Sequence, residues 1–271
     1  MQGGHEREFV GADLPADGSP VTATYSILPP GGAWDEADNG TYEVVLLEDE
    51  VADIYNNATP QTALGSFEVA IAPPPTYTLH ASANNAAWGN VSPASGTYTA
   101  GSVVEVTATP ATYYQFNEWT GDASGTLNPL LLLMDSDRTV MAVFAEVLTT
   151  NYPTPHWWLA LNGYTNDFEN AVTQVGANGM PLWQSYVAGL DPNDPQSRLL
   201  LSAQPLPNGT GCVLGWNTVS NRLYTVWAAT NLTEVFAPLE GAMDLPWTVR
   251  TYTNTVTPVT PLFYRLQVKK P

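Results

Sequence analysis

The chain is poor in cysteine, in basic residues and in long apolar runs, and each shortage removes a class of protein. A single cysteine, Cys212, allows no internal disulfide and no cysteine-based zinc site. It stands in "GCVLGW", an apolar, strand-like context that suits a buried small hydrophobe. Only 8 Lys and Arg oppose 26 Asp and Glu, for a net charge of −18. That balance argues against nucleic acid and anionic membrane surfaces as partners, and it favours solubility. No apolar run approaches the roughly 20 residues that a membrane-spanning helix needs. The opening "MQGGHEREFVGADL" lacks both the basic region and the apolar stretch of a signal peptide.

What is abundant points to short strands. Thr, Asn, Gly, Pro and aromatic residues are plentiful, and charged residues make up only 13% of the chain. This mixture suits many strands joined by turns, so the fold class is mainly β. At 271 residues there is room for two or three small domains, each with its own core. Acidity is concentrated early: half of the acidic residues precede Pro73, where Arg7 is the one opposing base.

Two breaks divide the chain. "APPPT" (72–76) is a proline hinge whose backbone cannot join a ladder, and "LTTNYPTP" (148–155) separates strand-like sequence from helical sequence. The segments are then 1–73, 76–146 and a remainder that divides into helical 147–198 and strand-rich 199–271. In the first, "TATYSIL", "GTYEVVLLE" and "GSFEVAI" read as strands, as do "SVVEVTATP" and "TVMAVF" in the second. In the third, "TPHWWLALNG" reads as a short helix with Thr154 as N-cap, Pro155 in the first turn and Gly163 as terminator. "PLWQSYVAG" reads likewise, from Pro181 to Gly189. Strands such as "GCVLGWNTV", "RLYTVWAATNL" and "LFYRLQVK" fill the last segment.

Three resemblances add to this reading. "PPGGAWDEADNGTYEVVL", with "LGSFEVAI" as closing strand, resembles an immunoglobulin-like module of large exported bacterial proteins. Related modules carry further strands ahead of "VTATYSI", so the resemblance implies a truncated sandwich and a start lying partway through a longer exported protein. "GNVSPASGTYTAGSVVEVTATP", then Phe116 with "EWTGD", then "NPLLLLMDSDRTVMAVF" resembles the divergent bacterial repeat of the internalin B-repeat type. It implies a small β-grasp-like fold used in extracellular stalks and adhesins. "LGWNTVSNRLYTVWAATNL" and "LFYRLQV" are similar to the C-terminal regions of exported planctomycete-like and verrucomicrobia-like proteins. There a helix pair with a calcium-type loop precedes a small fibronectin-like sandwich.

Chemistry-bearing clusters are few. "QVGANGMPLWQSYVAGLDP" resembles a dockerin or thrombospondin-type calcium loop, which puts Gln174, Gly176, Asn178 and Ser185 where carboxylates normally stand. None of the four is acidic, so the loop is expected to be a structural turn that binds no metal. Asp35, Glu36 and Asp38 form the other metal candidate, a conceivable calcium cluster, against the plainer reading of a solvated turn. "MDSDR" reads as a plain turn. His5, His80 and His156 lie in different segments without a nucleophile pattern, so no catalytic residues, no cofactor and no enzymatic activity are expected.

Contacts with other molecules are the sharper possibility. Trp88 stands where related repeats carry Gly, and Trp157 and Trp158 can either pack helices or offer aromatic platforms. Leu131 and Leu133 fall at outward positions where the family places Thr or Ser, and a neighbouring domain is expected to cover them. The reading is a non-enzymatic extracellular or cell-surface segment acting as spacer, adhesion or anchoring region of a larger exported protein. Its partners would be neighbouring domains, a polysaccharide or a surface protein. The alternative is a carbohydrate-binding accessory region of an exported hydrolase.

Overall fold

The computed structural model describes residues 7–12, 22–53, 55–207, 209–255 and 262–271; His5 and Asn208 lie outside them. The chain is mainly β, built from small sheets, as expected. It divides into two compact units, Met1–Tyr77 with Tyr98–Gly101, and Thr78–Thr97 with Ser102–Pro271.

The first unit holds two antiparallel pairs, β1 (Arg7–Ala12) with β2 (Ala23–Ile27) and β3 (Gly40–Leu46) with β4 (Thr62–Val69). Alternation along β3 and β4 puts Tyr42 opposite Phe67, and their rings stack at 5.3 Å. Trp34 meets both rings edge-on, at 5.3 and 6.3 Å. Among the described residues of this unit, no side chain is fully buried.

Seven strands follow, in the second unit except for the first two residues of β5 and the last two of β7: β5 (Thr76–Ala83), β6 (Gly89–Ser92), β7 (Ser95–Thr99), β8 (Val103–Pro110), β9 (Tyr114–Gly121), β10 (Leu130–Leu133) and β11 (Arg138–Glu146). They form two sheets, β10-β8-β6 and β7-β5-β11-β9. The pair β5–β11 is parallel, while β11 runs antiparallel to β9 with a bulge between Val143 and Phe144. Period-two burial supplies the core: Leu79 and Ala81, Val104, Val106 and Ala108, Leu132, and Val140, Ala142 and Phe144. Trp119 is buried with them, and its indole donates to the Leu127 carbonyl at 2.9 Å. A Cβ on Gly89 would stand 2.5 Å from the Phe144 ring, so this position requires glycine. The "MDSDR" turn is tied down, because Asp137 accepts from the Thr78 amide and hydroxyl at 2.7 and 2.8 Å. Those bonds hold its carboxyl below the usual carboxylate range.

Two carboxamides complete these sheets. Asn84 donates to the Phe144 carbonyl and accepts from its amide, both at 3.0 Å, beside the bulge. Asn128 does the same for Ala108, at 2.7 and 2.9 Å, two residues ahead of β10.

The expected helix pair is a set of three short helices, α1 (His156–Leu161), α2 (Phe168–Ala171) and α3 (Leu182–Ala188), closed around Leu159, Val172 and Leu182. Gly163 (φ 96°) and Gly189 (φ 72°) stand at the ends of α1 and α3 as the sequence predicts. The N-cap of α1 is Pro155, and Thr154 is not the cap expected of it. Its hydroxyl donates to the Tyr152 carbonyl at 2.8 Å and so closes the preceding turn.

The remaining strands are β12 (Leu201–Pro205), β13 (Cys212–Trp216), β14 (Leu223–Ala229), β15 (Ala237–Pro238), β16 (Leu245–Pro246), β17 (Thr251–Asn254) and β18 (Phe263–Lys269). One sheet runs β12-β13-β17; in the other, β14 pairs with β15, β16 and β18. Leu214, Trp216, Tyr224, Val226 and Ala242 form the core to which both sheets contribute. Cys212 is half-buried rather than buried, with its thiol 3.4 Å from the Tyr264 hydroxyl. Arg222 joins this region to α3 by donating to the Tyr186 carbonyl at 3.0 Å and to the Val187 carbonyl.

Removing either clamping carboxamide strands an amide and a carbonyl at a buried residue. Asn84→Ala and Asn128→Ala should each lower stability by about 1–3 kcal/mol. Urea unfolding should show a lower midpoint with an unchanged slope; an unmoved midpoint would show that water replaces the carboxamide without cost.

Candidate functional site

The calcium-type loop keeps its backbone course. Leu182 donates to the Gln174 carbonyl at 2.9 Å, Gly176 to Met180 at 2.9 Å and Gly179 to Gly176 at 3.0 Å. Gly179 has φ 78°, a conformation that favours glycine. At its centre, Asn178 and Ser185 are both buried and bond directly: the Asn178 carboxamide donates to the Ser185 hydroxyl at 3.0 Å and to the Asp191 carbonyl at 3.3 Å. The Asn178 oxygen accepts from the Met180 amide at 3.0 Å, and Ser185 donates toward the Pro181 carbonyl at 3.4 Å. The aligned positions 5 and 12 are therefore joined to each other through a carboxamide N–H. A donor facing the ligand centre repels a cation, which requires oxygen lone pairs there.

A second obstacle lies at Gly176. A Cβ there would stand 2.6 Å from the Pro192 carbonyl oxygen and 2.9 Å from its Cβ. The loop packs so closely on Pro192 that an aspartate at this position has no space.

Asp35, Glu36 and Asp38 sit on a 3-10 turn, Glu36–Asp38, with Asp35 as its cap. Asp35 accepts from the Ala37 amide at 2.8 Å, and Asp38 accepts from the Asp35 amide at 3.0 Å. Two of the three carboxylates thus close a capping box. Among the described residues, no three His, Cys, Asp or Glu side chains are grouped to hold a metal ion.

The aromatic candidates separate into distinct surroundings. Trp88 is half-buried and stacks on Tyr114 at 5.3 Å. Trp157 donates its indole N–H to Glu146 at 2.8 Å, tying α1 to the end of β11, and Trp158 packs on the Leu159–Val172–Leu182 core. Leu131 and Leu133 are 67% and 46% exposed. The expected cover by a neighbouring domain is not met among the described residues: both lie on the outward side of β10, opposite buried Leu132.

The structure adds an aromatic pair that sequence reasoning missed. Tyr152 stacks on Trp183 at 4.5 Å with ring planes 12° apart, and Tyr152 remains 49% exposed. Its backbone is left-handed, φ 56°, a conformation costing a non-glycine residue about 1 kcal/mol or more. Two hydroxyls hold it there, Thr149 at 3.0 Å and Thr154 at 2.8 Å, both donating to its carbonyl. Threonines at 149 and 154 around a tyrosine were the available signal, but neither pattern nor propensity foretells a left-handed tyrosine.

Beside this pair, His156 stacks on Phe168 at 4.2 Å, and Phe168 meets Tyr113 edge-on at 5.8 Å. The His156 Nε2 is buried without a hydrogen-bond partner. Burial lowers its pKa below the ordinary histidine value, against the opposing charge of Glu169. His80 belongs to β5, away from α1, so the histidines do not converge.

Residues 77–148 match the family model described as the divergent InlB B-repeat domain, the segment that the sequence sets apart. The match covers less than half of the chain. No curated protein and no solved structure matches the chain. Among the described residues, no helix is long and apolar enough to cross a membrane.

Two measurements follow. Gly176→Asp should lower the melting temperature by several degrees through overlap with Pro192, and calorimetry should show no calcium binding by the native chain or by this variant; calcium heat from either would refute the account of the loop. The depressed His156 pKa makes the unfolded chain bind more protons below the ordinary histidine range. Stability should therefore be level above about pH 7 and decline as pH falls through that range. His156→Gln should flatten the pH 5–7 part of a melting-temperature profile, whereas an unchanged slope would assign the decline to other groups.

Proposed function

We propose that this chain is a non-enzymatic segment of an extracellular or cell-surface protein, serving as a spacer, adhesion or anchoring region. The observation that carries the reading is the match of residues 77–148 to a bacterial repeat domain of a family that is typically surface-exposed. That domain is joined directly to α1, through the Trp157–Glu146 bond and the backbone bond from His156 to the Val147 carbonyl at 2.9 Å. Rigid joints of this kind suit a segment that sets distance between other parts. The acidic balance, 26 against 8, keeps such a segment soluble.

One observation favours the carbohydrate-binding reading as a second. Tyr152, half exposed and held on Trp183, offers an aromatic face of the kind on which sugar rings stack. A glycan array probed with the full chain separates the two. A spacer should retain no glycan, and that is the expected result; retention that Tyr152→Ala abolishes would replace the leading reading with the second.

A further inference from the structure

Among its described residues, the first unit has an apolar face without a core. Tyr25, Ile27, Leu64 and Ile71 are exposed, and Trp34, Tyr42 and Phe67 are only half-buried. A soluble unit this small normally stabilises itself by burying such residues, and two-stranded pairs are marginal alone. An open hollow of about 530 Å³ is lined by Tyr25, Ile27, Trp34 and Phe67 to Ile71.

The lining has the form of a slot between strand edges. From β2 it takes alternate residues, 25 and 27, the side chains of one face. From β4 and its extension it takes five consecutive residues, 67 to 71, as an edge would present. Asn39 accepts from the Ile71 amide at 2.5 Å and donates to its carbonyl at 2.8 Å, which fixes the Ile71 peptide groups toward β3. Backbone direction alternates along a strand, so Glu68 and Ala70 turn theirs toward the opposite edge.

We propose that this slot binds an extended, basic polypeptide segment, which adds as a strand beside β4 and lays alternate apolar side chains over Trp34 and Phe67. Extended chain is the form that satisfies an edge of peptide groups while filling an apolar trough. Charge selects the partner. Half of the acidic residues of the chain precede Pro73, against Arg7 alone, and Glu68, Asp35 and Glu36 border this hollow and the one beside it. A second copy carries the same excess of 26 acids over 8 bases and is repelled, whereas lysine or arginine on the outward face of the added strand is attracted.

Calorimetry on the full chain tests this with three 12-residue probes: an alternating valine–lysine peptide, its valine–glutamate counterpart, and a lysine peptide with the alternation scrambled. The alternating lysine peptide should bind one per chain and weaken about tenfold or more between 0.05 and 0.5 M salt. The glutamate and scrambled peptides should bind at least roughly tenfold more weakly. Ile27→Lys, which sets a like charge in the trough, and Ala70→Pro, which removes an edge N–H without changing charge, should each reduce the affinity; Leu131→Lys in the other unit should leave it unchanged. Equal binding of the three peptides, no binding at all, or affinity indifferent to both slot variants would overturn the proposal. So would a dimer in sedimentation that Ile27→Lys dissolves, because the occupant would then be a second copy.

Discussion

Short strands leave peptide groups beyond the reach of any neighbouring ladder, and in this chain asparagine side chains repeatedly take the neighbour's place. A carboxamide offers one donor and one acceptor side by side, the same pair that a strand residue presents. Asn84 serves both peptide groups of Phe144 just past Ala83, where β5 ends and its ladder to β11 stops. Asn128 serves Ala108 where β8 runs past Leu130, the first residue of β10. Asn39 serves Ile71 just beyond Gly40 and Val69, the last pair of the β3–β4 ladder. Asn217 divides the task, accepting from Leu200 and donating to Arg198. Phe144 and Ala108 are core residues, so without these clamps the cost would fall in the best-packed sheets of the molecule.

That constraint explains why the two units differ so much in burial. In the second unit the clamps let strands of four to nine residues present continuous apolar faces, and Val106, Val140, Ala142, Leu159 and Leu214 are shut from solvent. In the first unit the same device closes one edge of β4, but two strand pairs do not enclose a volume. Its aromatic cluster of Trp34, Tyr42 and Phe67 holds together by ring contacts while water reaches every member. Hydrogen-bond satisfaction is local and can be met anywhere; apolar burial needs a second layer.

The division between what was legible in the sequence and what was not follows the same line. Period-two patterns in "GTYEVVL", "SVVEVTATP" and "TVMAVF" correspond to β3, β8 and β11, since alternation is written by nearest neighbours. Gly163 and Gly189 announced helix ends because a left-handed cap suits glycine wherever it occurs. Thr154 misled because a hydroxyl can serve a turn as readily as a helix end: it donates to the carbonyl of a left-handed Tyr152 and accepts from no amide of α1. Leu131 and Leu133 stand on the outward face as alternation places them, but alternation reports direction and not what lies beyond, and among the described residues nothing covers them. The stacking of Tyr152 on Trp183 and the contact of Gly176 with Pro192 join residues 31 and 16 positions apart, and no periodic signal spans such distances.

The calcium-type loop joins these themes. A buried loop without acids or a cation must satisfy its backbone and polar groups from its own side chains. Here Asn178 meets that demand with both N–H groups and its oxygen, and Ser185 supplies the opposing hydroxyl. Because Asn178 and Ser185 are neutral, their burial avoids the large desolvation cost of a carboxylate without a counter-ion. The contact of Gly176 with Pro192 then makes the uncharged arrangement self-consistent, since it fills the space that a ligating side chain would need. The same type of side chain that completes the sheets thus also holds this loop together, through hydrogen bonds and close packing.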